Sequence, residues 1–251
     1  MTRLALALFA GLLILTACTA TPDDPAPTSE PTAPATTAAA QDVTAAELRG
    51  TGTALTVGGL TVQYRVTDGA VPGQTSDEDG ATTLELATDS DEDVLLLAAP
   101  EGWTAEALSD GGVLLRDPAG VAAAGIDADG AQPTVAADGL IGYRATVPPA
   151  TVRLTLATVA VRSATWADLD DEGGRSLAVV PSTWARGGGL VVDALLWAQL
   201  VAAQPEADSQ GMHDQLTCHQ IGAPEKESWN LEPWRPDVGL VQAMLARCNP
   251  S

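Results

Sequence analysis

Period-two alternation of apolar and polar residues runs through the middle of the chain. Thr53-Ala54-Leu55-Thr56-Val57 and Leu60-Thr61-Val62-Gln63-Tyr64-Arg65-Val66 each put alternate side chains on one face, and Gly58-Gly59 between them supplies a hairpin turn. Runs of the same kind recur at Thr82 to Ala87, Val94 to Ala98, Val113 to Arg116, Gly120 to Ile126, Gly142 to Val147 and Val152 to Val161, parted by Gly and Asp turns. No amphipathic helix interrupts them, so residues 46–163 are expected to form a β-rich, antiparallel sandwich-like domain. The pattern changes near Trp166. Arg175 to Pro181 reads as one more strand, and Val191 to Ala203 is an apolar run broken only by Asp193 and Gln199 and stopped by Pro205, a buried helix. Ser209 can cap a second helix through about His219. A third is expected from Pro236, with Val238, Val241, Leu245 and Cys248 on one inward stripe. The fold class is therefore α+β, with a small α+β domain over residues 164–251 following the sandwich.

The leader follows a different rule. Met1-Thr2-Arg3 is a positive start, and Leu4 to Leu15 is an apolar run too short to span a bilayer core of about 30 Å, so residues 1–17 read as a signal peptide. Its end, Leu15-Thr16-Ala17-Cys18, resembles the bacterial lipobox. That resemblance implies cleavage before Cys18, lipidation of its thiol, and a membrane partner reached through the anchor on the outer face of the bacterial cytoplasmic membrane. Residues 18–45 are rich in Pro, Thr and Ala, with too little apolar bulk to offset ordering entropy, and are expected to be a disordered tether.

Charge narrows the partners. Twelve Lys and Arg against 33 Asp and Glu give a net charge of −21 in 251 residues, which argues against nucleic acid as a partner and leaves membrane attachment to the acyl chains. The acidic turns Asp77 to Gly80, Asp89 to Asp93 and Asp127 to Gly130 invite a calcium reading, but none fits the EF-hand register. They are read as solvated turns, and neither a metal nor a cofactor is expected.

Five of the six tryptophans, both histidines and two of the three cysteines lie between Trp166 and Cys248. With Cys18 lipidated, Cys218 and Cys248 remain, and an exported chain favours pairing them. The alternatives are a zinc pair or a nucleophilic thiol. His213 and His219, six residues apart on a helix, cannot grip one metal as an i, i+4 pair can. Glu232 and Arg235, bracketed by Pro233 and Pro236 and flanked by Trp229 and Trp234, fit two readings: a turn locked by an ion pair, or a groove whose indoles and fixed polar groups hold a sugar or peptide. His213-Asp214 ahead of Cys218 has a superficial likeness to secreted phospholipases, without a calcium loop or a second aspartate that the sequence can place. Glu172 or Glu232 working with His219 are the candidate groups for hydrolysis.

Glu172-Gly173-Gly174-Arg175-Ser176-Leu177, Pro181 to Arg186, Gly211-Met212 to Cys218-His219, Trp229-Asn230-Leu231-Glu232-Pro233-Trp234-Arg235-Pro236 and Cys248-Asn249-Pro250, in that order, resemble the bacterial family catalogued as domain of unknown function 2599. The resemblance covers about residues 163–250. It implies an exported or lipid-anchored protein with a paired cysteine, and no activity. The expected function is thus a lipid-anchored envelope module that binds or scaffolds a cell-wall polymer or envelope protein, with hydrolysis of an envelope polymer or lipid as the alternative.

Overall fold

A computed structural model describes residues 43–169 and 174–251. Cys18, the leader, the tether up to residue 42 and Glu172 lie outside the described residues. In chain order the elements are α1 (Ala45–Thr51), β1 (Thr53–Val57), β2 (Leu60–Val66), β3 (Gly73–Ser76), β4 (Thr82–Thr88), β5 (Asp93–Ala98), β6 (Thr104–Ala107), β7 (Val113–Arg116), β8 (Ala122–Asp129), β9 (Ala131–Val135), β10 (Leu140–Ala145), β11 (Ala150–Ala157), β12 (Val161–Leu169), β13 (Gly174–Pro181), α2 (Leu190–Ala203), α3 (Gln210–Gly222), β14 (Trp229–Leu231) and α4 (Leu240–Leu245). Among the described residues, no helix is long and apolar enough to cross a membrane.

Two antiparallel sheets, ordered β1-β2-β5-β10-β9 and β3-β4-β11-β8-β7-β6, form the β-rich middle region. Their inward residues make one aliphatic core: Leu55, Val62, Leu95, Leu97, Ile141 and Tyr143 from the first sheet meet Leu84, Val113, Leu115, Ile126, Val152 and Leu154 from the second. Alternation chose these residues, because a strand presents every second side chain to one face.

Three strands that alternation does not reveal, β3, β6 and β9, are outer strands of their sheets. β3 is Gly-Gln-Thr-Ser, exposed throughout, and β6 is Thr-Ala-Glu-Ala. Short polar edges discourage pairing with other chains and give no hydrophobic period to read. The expectation of a tether to residue 45 and strands thereafter is corrected by α1. Thr44 and Glu47 form a reciprocal capping box, and Ala45 donates its amide to Asp138 at 2.8 Å.

β12, β13 and β14 form a third antiparallel sheet, joined by the helices and a disulfide in a smaller C-terminal region. This region packs on the outer face of the six-stranded sheet. Leu114, Ala122 and Ala157 share a cluster with Trp184, Val191, Leu195 and Leu196, so β7 is buried on both faces. Gly125 permits the approach, since a Cβ there would lie 2.7 Å from the Trp184 ring and 2.9 Å from Val191. The turn Asp77 to Gly80 is not simply solvated. Asp79 accepts the Thr183 amide at 2.7 Å and pairs with Arg162 at 3.1 Å, fastening the sandwich to the C-terminal region.

The third helix departs most from expectation. α4 starts at Leu240 after Gly239 (φ 76°), and its buried residue is Ala243, while Val241 and Leu245 are 71% and 74% exposed. Val238 precedes the helix, and Val241 and Leu245 lie on its exposed side, opposite the face that buries Ala243. Cys248 is buried from a different geometry: Arg247 and Cys248 take positive φ, and Cys248 N–H bonds to the Ala243 carbonyl at 2.8 Å in a Schellman-type end.

Candidate functional site

α3 organises the polar interior of the C-terminal region. Ser209 caps it by accepting the Met212 amide, and successive turns then point Gln215, Cys218 and His219 at different neighbours. Cys218 is disulfide-bonded to Cys248, with Cα atoms 5.6 Å apart, which ties the end of α3 to the end of α4.

His219 is only 3% exposed. Its Nε2 lies 3.0 Å from the Asn230 carbonyl, an acceptor only, so Nε2 carries the proton and Nδ1 holds a lone pair. Nδ1 is buried with no partner among the described residues. Burial holds the imidazole below its ordinary pKa, the Asn230 contact opposes this, and the Lys226 charge adds to the depression. The ring lines a cavity of about 300 Å³ together with Cys218, Gly222, Ala223, Lys226, Met244, Arg247 and Cys248.

Glu232 and Arg235 form the other buried polar group. They are ion-paired, with side chains 8% and 13% exposed. The Glu232 amide donates to Gln215 Oε1 at 2.9 Å and Gln215 Nε2 donates to the Glu232 carbonyl at 3.0 Å, a reciprocal clamp between α3 and the chain after β14. Arg235 also donates to the Pro250 carbonyl and lies 4.4 Å from the Trp234 ring centroid. Trp229 is fully buried and donates its indole N–H to Ala223 at 3.0 Å. Trp234 is partly exposed against Gly174, where any Cβ would collide with the indole. Trp229 and Glu232 tie this segment to α3 and its C-cap, Arg235 ties it to the end of the chain, Trp234 packs against β13, and the carboxylate is already committed to a guanidinium.

Residues 161–251 match the family described as "Protein of unknown function (DUF2599)". The matched stretch begins at β12 and contains both groups above. Within it the chain is 43% identical over 83 residues to the uncharacterized protein Rv0477 of Mycobacterium tuberculosis and equally to Mb0487 of Mycobacterium bovis, covering 30% of this chain and 56% of each relative. Another uncharacterized protein, ML2452 of Mycobacterium leprae, is 38% identical over 58 residues, 22% of this chain and 47% of that one. The chain thus spans about half the length of the curated relatives it matches. No solved structure is significantly similar to it.

One constellation in the matched region was not legible beforehand. His213 does not work with Asp214, which instead accepts from Gln210. Its Nε2 meets Asp193 Oδ2 of α2 at 3.0 Å, Thr217 donates to the other oxygen at 2.8 Å, and the imidazole stacks on Trp197 with centroids 4.4 Å apart. The Asp193 hydrogen bond raises the His213 pKa. The signal was the break in the apolar run: Asp193 serves His213, and Gln199 binds the Ala160 and Val161 amides and the Thr158 carbonyl. A polar residue inside a buried helix needs a partner, and sequence does not say which.

Proposed function

We propose that the protein is a lipid-anchored envelope module, tethered through Cys18, in which the β sandwich carries a disulfide-tied binding region away from the outer face of the cytoplasmic membrane. The observation that carries this reading is the α3–α4 cavity of about 300 Å³, lined by residues of both helix ends, with the disulfide and Met244 beside Lys226 and Arg247. Ligand sites combine a concave, mainly apolar wall with a few fixed polar groups, and this cavity has that make-up. The ligand is a cell-wall polymer or another envelope component. Two measurements test the proposal: Cys18→Ala should move the protein from the membrane fraction to a soluble or unprocessed form, and the mature chain should capture envelope material. Equal membrane partition of Cys18→Ala and parent defeats the anchor, and absence of capture defeats the binding role.

Hydrolysis has one observation in its favour, the half-buried His213–Asp193 pair, which resembles an oriented base. The proposed partnership of Glu232 with His219 has less support: Glu232 is neutralised by Arg235, and His219 Nε2 is taken by Asn230.

A further inference from the structure

Residues 236–251 are fastened differently from the rest of the C-terminal region. Among the described residues, one hydrogen bond joins this stretch to the protein before it, from Arg235 Nη1 to the Pro250 carbonyl at 3.2 Å, and no ion pair does. Its other hydrogen bonds are internal, such as Gly239 N–H to Asp237 and Cys248 N–H to Ala243. Ala243, Cys248 and Pro250 are its buried residues. None of the stretch belongs to the apolar cluster built from Val179, Leu195, Leu216, Trp229 and Leu231. α4 has six residues, and a helix shorter than about 12 residues is marginal in water by itself. The covalent bond between Cys218 and Cys248 is therefore what keeps α4 on α3.

The α3–α4 cavity depends on that bond. One wall belongs to α3 and its C-cap, with Gly222 and Ala223, and the Trp229 indole holds it to the core by donating to the Ala223 carbonyl. The opposite wall, Met244, Arg247 and Cys248, lies wholly in the terminal stretch. The cavity loses that wall if the stretch leaves. The bond is also within reach of a small reductant. Gly222 is exposed, and a Cβ placed there would have Cys248 Sγ as its near neighbour, at 3.9 Å. The missing side chain leaves a path to the sulfur.

We propose that Cys218–Cys248 is a redox clasp on the binding cavity: reduction by a small dithiol releases residues 236–251 from α3, dismantles the cavity and leaves the rest of the fold intact. The clasp rests on the reading that this cavity is the binding site, and it supplies that site's regulation. A thiolate of the dithiol attacks Cys248 Sγ, the S–S bond breaks, and Cys218 leaves as a thiolate that is then protonated. The second thiol attacks the mixed disulfide, so both cysteines end as thiols and the reductant as a cyclic disulfide; two electrons and two protons pass to the protein. The oxidised chain has the whole cavity and binds. In the reduced chain α4 is free and binding is lost.

The test uses the full mature chain with Cys18→Ala, whose remaining cysteines are the bonded pair, and dithiothreitol without denaturant. We expect both thiols to become alkylatable and hydrogen–deuterium exchange in residues 240–250 to speed up at least about tenfold, while α2, β13 and β14 keep their protection. Cys248→Ser should show the same loosening without reductant. Gly222→Val, which fills the path to Cys248 Sγ, should slow reduction at least about tenfold. Capture of envelope material by the oxidised chain should fall at least about tenfold on reduction. A bond that resists dithiothreitol in the folded chain, α4 protection that survives reduction, or equal loss of protection in α2 and β13 overturns the clasp. A reduction rate unchanged by Gly222→Val overturns the entry path, and capture undiminished in a reduced chain with α4 released overturns the control of binding. If the oxidised chain captures nothing, the envelope-binding role fails, and the exchange measurement decides the clasp by itself.

Discussion

The sandwich and the C-terminal region solve the same packing problem with opposite chemistry. Of the eight buried polar or charged residues among those described, only Thr82 belongs to the sandwich, whereas Ser176, Ser182, Asp214, Gln215, His219, Gln220 and Glu232 lie in the matched C-terminal stretch. Ion pairs in the C-terminal region include the exposed Arg175–Glu206, at 44% and 68%, but the pair with both partners most buried among the described residues is also there. Arg153 and Glu85 on the sandwich are 47% and 51% exposed, and Arg235 and Glu232 are 13% and 8% exposed. An aliphatic core tolerates many sequences of the same pattern, while a buried polar network works only with its own partners in place. On the proposed binding role, the sandwich is the support and the region of fixed polar groups the place where recognition is sought.

The largest expected effect is at Trp229. Replacement by Ala removes a fully buried indole and its bond to Ala223, and should cost about 3–5 kcal/mol in a denaturant melt. A cost under about 1 kcal/mol would show that the aromatic segment is not a core element. Next is Arg235→Ala, which strands the Glu232 carboxylate in a buried site and should cost about 3 kcal/mol. The same chemistry on the sandwich is the control: Glu85→Gln, at an exposed pair, should change stability by less than about 1 kcal/mol. If the two substitutions cost the same, the contrast between regions fails.

A finer comparison lies within α3, whose two histidines shift in opposite directions. For His213, raised above 6.5 by Asp193, the favourable contribution is complete below pH 6.5 and is lost as pH rises through the folded pKa. For His219, depressed below 6.5 by burial, the folded state excludes the proton, so stability present above pH 6.5 is lost as pH falls through the folded value. Imidazole resonances followed by NMR should titrate on either side of 6.5, and Asp193→Asn should lower only the His213 midpoint. Coincident midpoints in the parent would contradict the assigned environments. The smallest effect is expected at Tyr143. Its buried hydroxyl has no partner among the described residues, so Tyr143→Phe should leave the melting transition within about 0.5 kcal/mol of the parent.

The same division explains what could be read in advance. Most sandwich strands announced themselves because alternation reports which face is buried, as in β2 and β4, and only the polar edges β3, β6 and β9 escaped. Helices α2 and α3 were marked by Pro205 and the Ser209 cap. α4 was misplaced because a few apolar residues after Pro236 fit a helical stripe in more than one register, and the disulfide and Gly239, rather than hydrophobic period, fix the one adopted. At the site, Glu232 with Arg235 was visible as a local i, i+3 pair. Asp193 with His213, and Lys226 with Arg247 around His219, join residues about 20 apart, and local spacing carries no information about such pairs. The capping box of Thr44 and Glu47 has a sequence signature, but the acidic, Ala-rich stretch around it reads equally as the end of the tether.

The central claim, that recognition belongs to the α3–α4 end and not to the sandwich, is tested most directly by hydrogen–deuterium exchange on the full mature chain with and without an isolated envelope fraction. The account predicts that binding slows exchange in residues 218–228 and 243–248 and leaves the strands β1 to β11 unchanged. Protection confined to the sandwich, above all along its edge strands β3, β6 or β9, would contradict it.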